Sequence, residues 1–393
     1  MKLLIIHNDY QTPGGELNSV NSIRDLNIKN GNIVLEYRRH NNEINKYRLL
    51  NKLLFPINSI FSIKSYNDIK RILKSNPDVD IVQIHNIFPL ISYASYFAVK
   101  QYSRAKIIQY IHNYRLFCIN GLFLCNGKLC EKCSDGKYTR SIINKCYKDS
   151  YFLSLLYVFI LKLYRSIKTY DKPNLFIAVS NFVKEKLINN GIPEGKIQVL
   201  YHYISTPSIK SYNKNSNYSV YMGRLSSEKG ISTLVEAFKE FPEYKLKIMG
   251  SGKLHSDIEK YITSNKISNI ELLGYVTGAE KENILKNSLF NIVSSQCYET
   301  FGRSVIEGFA FGIPVLASSI AGLKELVEVE SNGMLYKYDD INDLKDKIKY
   351  MFNNIELLDI MSDYCYKQAK EKFSDKVFFQ KIKNIYNNVI AEY

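Results

Sequence analysis

Short apolar runs alternate with amphipathic stretches along nearly the whole chain, the pattern that successive βα units produce. In the first half the runs fall at 2–6, 32–37, 80–84, 106–111, 175–179 and 196–201. In the second they fall at 218–222, 245–249, 270–273, 289–294 and 313–317. Many are continuous rather than alternating, as expected for parallel strands buried on both faces. Ile231, Leu234, Val235 and Phe238 have the spacing of a helix with one buried face, and Phe378, Ile382, Ile385 and Val389 predict a second one at the end of the chain. The polar stretch Ser208 to Asn217 separates the two sets of strands and reads as a linker. The expectation is an α/β protein with two Rossmann-like, doubly wound parallel sheets.

Length supports this division, since 393 residues exceed one ordinary core. The apolar run at Met1 to His7 is too short for a signal peptide and predicts a buried first strand. Charge is unevenly spread. Residues 1–200 carry 29 Lys and Arg against 14 Asp and Glu, whereas residues 201–393 carry 24 of each. The basic half either faces an anionic partner or is a solvated surface.

Two segments carry candidate chemistry, and both lie in the neutral half. Gly223-Arg224-Leu225-Ser226-Ser227-Glu228-Lys229-Gly230 joins a strand to a helix, where doubly wound sheets bind ligands. Arg224 and Lys229 offer a planar donor fork and a compact charge, a combination suited to a diphosphate. In Glu299-Thr300-Phe301-Gly302-Arg303-Ser304-Val305-Ile306-Glu307 two carboxylates stand eight positions apart, able to accept hydrogen bonds from hydroxyl pairs. Backbone N–H groups of Thr300, Phe301 and Gly302 are expected at the helix start.

In this order and spacing the chain resembles the retaining nucleotide-sugar glycosyltransferases of family four, with the GT-B fold. Gly250-Ser251-Gly252, Gly274-Tyr275-Val276, the Gly-Ile-Pro-Val at 312–315 and Gly14-Gly15 extend the match over essentially the whole sequence. The resemblance implies two domains facing a cleft, an acceptor domain of 1–207 plus 375–393 and a donor domain of 208–374. It implies a UDP- or GDP-sugar donor, with Arg224 and Lys229 on the diphosphate, Glu307 on the ribose and Glu299 with the backbone after it on the transferred sugar. Gly223 and Gly250 belong to the same donor site, Tyr275 and Val276 contact the base, and Gly14 and Gly15 approach the diphosphate. His112 matches a histidine near the reacting centre, and His85 has a weaker match on the preceding strand. One departure is His202, where many relatives have asparagine. Transfer then runs by front-face attack, with the departing phosphate helping to deprotonate the acceptor, and it needs no metal cofactor because protein cations meet the leaving group. Asp78-Val79-Asp80 mimics a metal-binding Asp-x-Asp, but it opens a strand at the amino end and is read as structural.

Residues 112–150 interrupt the βα pattern with five cysteines. Cys118, Cys130, Cys133 and Cys146 have the spacing C-x11-C-x2-C-x12-C, which is either a structural zinc site or reduced thiols, with Cys125 the spare. The apolar run at 151–161, followed by Lys162, Arg165 and Lys168, is too short to span a bilayer. It either lies in the membrane interface or is buried, and the basic half favours the former. The expected partner is an anionic, lipid-linked saccharide acceptor at the inner face of the cell membrane, with the enzyme cytoplasmic or peripheral there. A nucleotide-sugar epimerase on the same fold is an alternative. A basic, zinc-containing nucleic-acid-binding protein is another, but it leaves the neutral half unexplained and no stacking module supports it, so no nucleic acid is expected.

Overall fold

The structure, a computed structural model, describes residues 1–11, 14–134 and 136–391. It divides into two compact units, one of residues 1–123, 130–200 and 379–393 and the other of 124–129 and 201–378.

In the first unit β1 (Lys2–Asp9), β2 (Ile33–His40), β3 (Ile81–Ile84) and β4 (Lys106–Ile111) precede in the chain a small hairpin of β5 (Leu124–Cys125) and β6 (Lys128–Leu129), which itself is grouped with the other unit. After it come β7 (Leu175–Ala178) and β8 (Ile197–Val199). Six of these form a parallel sheet in the order β2-β1-β3-β4-β7-β8. Leu3 to Ile6, all of β3 and all of β7 are buried, which is why these strands read as unbroken apolar runs. The last helix, Asp375–Ala391, contributes its residues from Phe379 onward to this unit. There Tyr386 accepts from Gln83 and from Asn27 Nδ2.

The second unit contains β9 (Tyr218–Met222), β10 (Lys245–Met249), β11 (Ile270–Gly274), β12 (Asn291–Val293), β13 (Val315–Ser318) and β14 (Gly333–Tyr336). All are parallel, in the order β11-β10-β9-β12-β13-β14. The direction of winding reverses between β9 and β12, which makes their carboxyl ends the binding position of this sheet. The expected helix forms over Ile231–Lys239 and buries all four predicted residues. β14 was not expected, because only four residues separate Ser331-Asn332 from the polar Lys337.

The two compact units change over at Leu200/Tyr201, a few residues before the expected 207/208. The stretch 208–217 is docked on the second unit rather than being a free linker. Tyr212 packs on the core there, Lys210 pairs with Asp363 at 2.6 Å and Lys214 with Asp359 at 3.0 Å.

Among the described residues no helix is long and apolar enough to cross a membrane. The run at 151–161 lies in the helix Tyr151–Ser166, capped by the Ser150 side chain. One face of this helix is buried and the other exposed. Tyr157, Ile160, Leu161 and Tyr164 are buried, while Tyr151, Phe152, Leu155 and Phe159 are each more than half exposed.

Candidate functional site

The two motif segments of the second unit are 70 residues apart at Lys229 and Glu299, yet they meet at the β9/β12 reversal. Their backbones are stitched together there: Gln296 N donates to Glu228 O at 2.9 Å, and Ser294 Oγ donates to Lys229 O at 2.9 Å. The approach depends on Gly230, which has φ +65°, and a Cβ added to it would lie 1.9 Å from Ser294 O. Gly302, at φ +110°, has the same role at the start of the helix Arg303–Phe309, against Leu323.

This close packing brings opposite charges together. Lys229 Nζ donates to Glu299 Oε1, which also accepts from Ser295 Oγ. Burial works against the charge on each partner, and their mutual attraction outweighs it. The lysine is therefore held above its ordinary value and the carboxylate below. Glu307 accepts from Lys281 Nζ at 2.6 Å and from Arg303 Nε at 3.1 Å. Arg224 is half exposed, with Glu228 at 3.6 Å. Gly223 and Gly250 are joined to the sheet by bonds from Gly223 N to Met249 O (3.1 Å) and from Gly250 N to Gly274 O (2.6 Å). In the next turn Tyr275 is exposed but Val276 is packed in the core, so only the tyrosine side chain faces outward. Phe301 is likewise buried, in contact with His202.

In the first unit Gly14 precedes the helix Gly15–Lys29 in extended conformation, and a Cβ there would meet nothing within 4 Å. Thr12 and Pro13 lie outside the described residues. His112 follows β4 and shares a hydrogen bond of 2.8 Å between its Nε2 and Nδ1 of His85. Burial lowers the His112 pKa to about 3, so the ring is neutral and exchanges hydrogen bonds rather than charge. The Asp78-Val79-Asp80 segment lies at the amino ends of the strands, where Lys2 Nζ binds Asp78 at 2.8 Å and Lys2 N binds Asp80 at 2.8 Å.

The cysteine segment packs as a small core of Ile119 and Tyr138 against Tyr157, Val158 and Leu161, with Cys133 and Cys146 at its margin. Burial raises the Cys118 and Cys133 thiols, and for Cys133 the nearby Cys118 and Cys130 add to this. Among the described residues no three His, Cys, Asp or Glu side chains are arranged to hold a metal ion.

Residues 206–368 match the model of glycosyl transferases group 1, and residues 36–206 match that of glycosyltransferase family 4. The chain belongs to glycosyltransferase family four. Over 214 residues the glycosyltransferase is 31% identical to an uncharacterised glycosyltransferase of Methanocaldococcus jannaschii, covering 54% of this chain and 59% of that one. Over 238 residues it is 24% identical to the capsular polysaccharide biosynthesis glycosyltransferase CapM of Staphylococcus aureus, covering 55% and 62%. The matches thus span about three fifths of these relatives. Two solved structures share the GT-B fold. A glycosyltransferase from Rickettsia africae superposes with a TM-score of 0.70 at 19% identity, over 100% of this chain and 99% of that one. Anabaena HepE in complex with UDP-glucose does so with 0.70 at 16% identity, over 99% and 100%.

Ser295, Lys281 and Arg303 escaped the sequence reading of this glycosyltransferase. Arg303 stands four residues before Glu307, so helical spacing could have indicated it. Lys281 carries no such signal, because its contact depends on how two βα units pack.

Proposed function

We propose that the chain is a retaining transferase that moves a sugar from a UDP- or GDP-sugar to a hydroxyl of a lipid-linked saccharide at an anionic membrane surface. The observation that supports this most is the meeting of Lys229 with Glu299 at the β9/β12 reversal. In this reading Lys229 and Arg224 take the diphosphate, which displaces part of their present pairing with Glu299 and Glu228. Glu307, oriented by Lys281 and Arg303, accepts from the ribose hydroxyls. Glu299 and the backbone of Thr300, Phe301 and Gly302 hold the sugar, Tyr275 contacts the base, and Gly14 and Gly15 admit the phosphates. As the glycosidic bond breaks, negative charge grows on the leaving phosphate, and the fixed cations stabilise it. That phosphate then helps to remove the proton from the attacking hydroxyl on the same face. Neutral His112 contributes a hydrogen bond.

The membrane part of the proposal is supported by two neighbouring helices of the first unit. Leu49–Ile60 exposes Leu49 and Ile57, and Tyr151–Ser166 exposes Phe152, Leu155 and Phe159. Neither helix contains an acidic residue, and Lys145, Lys148 and Lys162 lie in or near the second one. Such a surface suits the interface of an anionic bilayer. Of the basic residues first considered, Arg165 is the exception: its Nη2 donates to Asn190 O.

A panel of UDP- and GDP-hexoses, followed by NMR of the product's anomeric centre, tests the reaction. One donor class should raise Tm, and the product should keep the donor's anomeric configuration. Lys229→Ala and Glu307→Ala should each cut transfer by at least roughly a hundredfold while remaining folded. An inverted product, or either variant with normal turnover, would refute the assignment.

A further inference from the structure

The turn between β9 and the helix Ile231–Lys239 carries a carboxylate to which the roles above give no task of its own. Glu228 Oε1 accepts from Ser226 Oγ at 2.7 Å and faces Arg224 Nη2 at 3.6 Å. Its backbone is fixed as well, since Glu228 O accepts from Gln296 N at 2.9 Å. The Glu228 side chain is largely shielded from water, whereas that of Arg224 is half exposed. The carboxylate is therefore built into the turn, and the guanidinium is the partner with room to reorient.

Lys229 has its own anion in the same way, so each cation of the turn faces one carboxylate. Two uncharged neighbours show how closely the four charges are gathered. Burial raises the Cys297 thiol to about 12, with Glu299 and Glu228 adding to the rise and Lys229 and Arg224 opposing it. Burial raises the Tyr221 hydroxyl too, and Glu299, Glu228 and Arg224 act on it in the same senses. All four charges thus bear on one buried region, and they sum to zero. A zero sum is unexpected where a diphosphate binds, because two uncompensated cations would hold it more tightly.

The reaction supplies a reason. As the glycosidic C–O bond breaks, its electron pair stays on the oxygen of the distal phosphate, while the acceptor oxygen bonds to the anomeric carbon. The acceptor's proton passes to that phosphate and, with a pKa of about 6, leaves for water at neutral pH. A donor with about two negative charges becomes a nucleoside diphosphate with about three. A purely cationic turn would favour that product over the donor, whereas carboxylates beside the cations oppose the added charge. We propose that Glu228 is a positioning residue that acts through Arg224 to set the preference between donor and product. By holding the guanidinium partly neutralised, it keeps the nucleoside diphosphate from binding more tightly than the donor. This rests on the transferase reading, in which Glu299 also faces the sugar and Glu228 is left as the carboxylate concerned with charge alone.

Titration calorimetry of the whole chain with UDP and UDP-glucose, or with GDP and GDP-mannose, measures this preference without an acceptor. Wild type should bind the diphosphate no more than about threefold more tightly than the sugar nucleotide. Glu228→Gln keeps the shape and an oxygen for Ser226 but removes the charge. It should tighten the diphosphate about tenfold and the sugar nucleotide by no more than about threefold. Glu228→Asp keeps the charge and should stay near wild type, whereas a side chain that merely braced the turn would tolerate Gln better than Asp. The gain should vanish in Arg224→Gln/Glu228→Gln, since the effect passes through Arg224. Equal tightening of both ligands, no tightening in a folded Glu228→Gln, or a gain that persists without Arg224 would overturn the proposal. Should Glu228→Gln misfold, the wild-type ratio decides: a diphosphate bound about tenfold or more tightly than the sugar nucleotide would refute it. Binding of none of these nucleotides by the wild type would instead count against the transferase reading.

Discussion

Replacing Glu299 with Gln removes a carboxylate whose counterion, Lys229, is held within the same site. Side-chain exposures are 22% for Lys229 and 15% for Glu299, so the pair is largely but not wholly shielded from water. Deleting one partner of a fully buried pair costs about 3–5 kcal/mol, because the other charge is left uncompensated. Solvent screening at this exposure should reduce that to about 1–2 kcal/mol. The remaining ammonium then gains most from an incoming anion. If Lys229 takes the donor diphosphate, UDP no longer competes with Glu299 for it. The variant should bind UDP about fivefold more tightly than the wild type, an extra stabilisation of about 1 kcal/mol at saturating ligand. Transfer should nevertheless collapse, since the carboxylate facing the sugar is gone. Urea unfolding with and without UDP, beside calorimetric titration, measures both quantities, and GDP serves if it is the preferred nucleotide. A folded variant that binds the nucleotide no better than wild type would refute the argument and leave the Lys229–Glu299 pair a structural one.

Gly230→Ala should lower stability by about 3 kcal/mol or more in urea unfolding, since its Cβ falls 1.9 Å from a backbone oxygen at φ +65°. Gly14→Ala meets nothing within 4 Å and should stay within about 0.5 kcal/mol of wild type while losing activity. Burial raises the Glu16 carboxyl from 4.5 to about 7 on folding, so the native state retains its proton longer and the wild type loses stability between these pH values. Glu16→Gln should therefore be the more stable protein at pH 8, by up to about 3 kcal/mol, with the gain vanishing near pH 4; a pH-independent difference would contradict this. Transfer should survive EDTA in a short assay, and loss restored by Mn²⁺ or Mg²⁺ would point instead to Asp78 and Asp80. Flotation with anionic vesicles should show binding that falls with salt and falls again in Phe152→Ser/Phe159→Ser, with neutral vesicles as the control.

The sequence alone determined the βα alternation, the buried first strand and the faces of the helices at 231–239 and 375–391. These are local matters: an apolar run or a 3.6-residue spacing records which side of an element must leave water. It also singled out candidate residues at strand ends, Lys229, Glu299 and Glu307 among them, because their types and order suit phosphate and hydroxyl groups. Tertiary structure decided what those residues touch. The winding order β11-β10-β9-β12-β13-β14 makes β9 and β12 neighbours, so Lys229 meets Glu299 and Lys281 meets Glu307. The hydrogen bond from Asn113 to Glu16 was equally hidden, since the two residues follow different strands. Likewise Lys162 and Arg165 look alike in sequence, yet Arg165 bonds to Asn190 O while Lys162 is exposed. Sequence pattern registers burial along one element, but the pairing of distant side chains depends on how elements are ordered and packed, which no local period encodes.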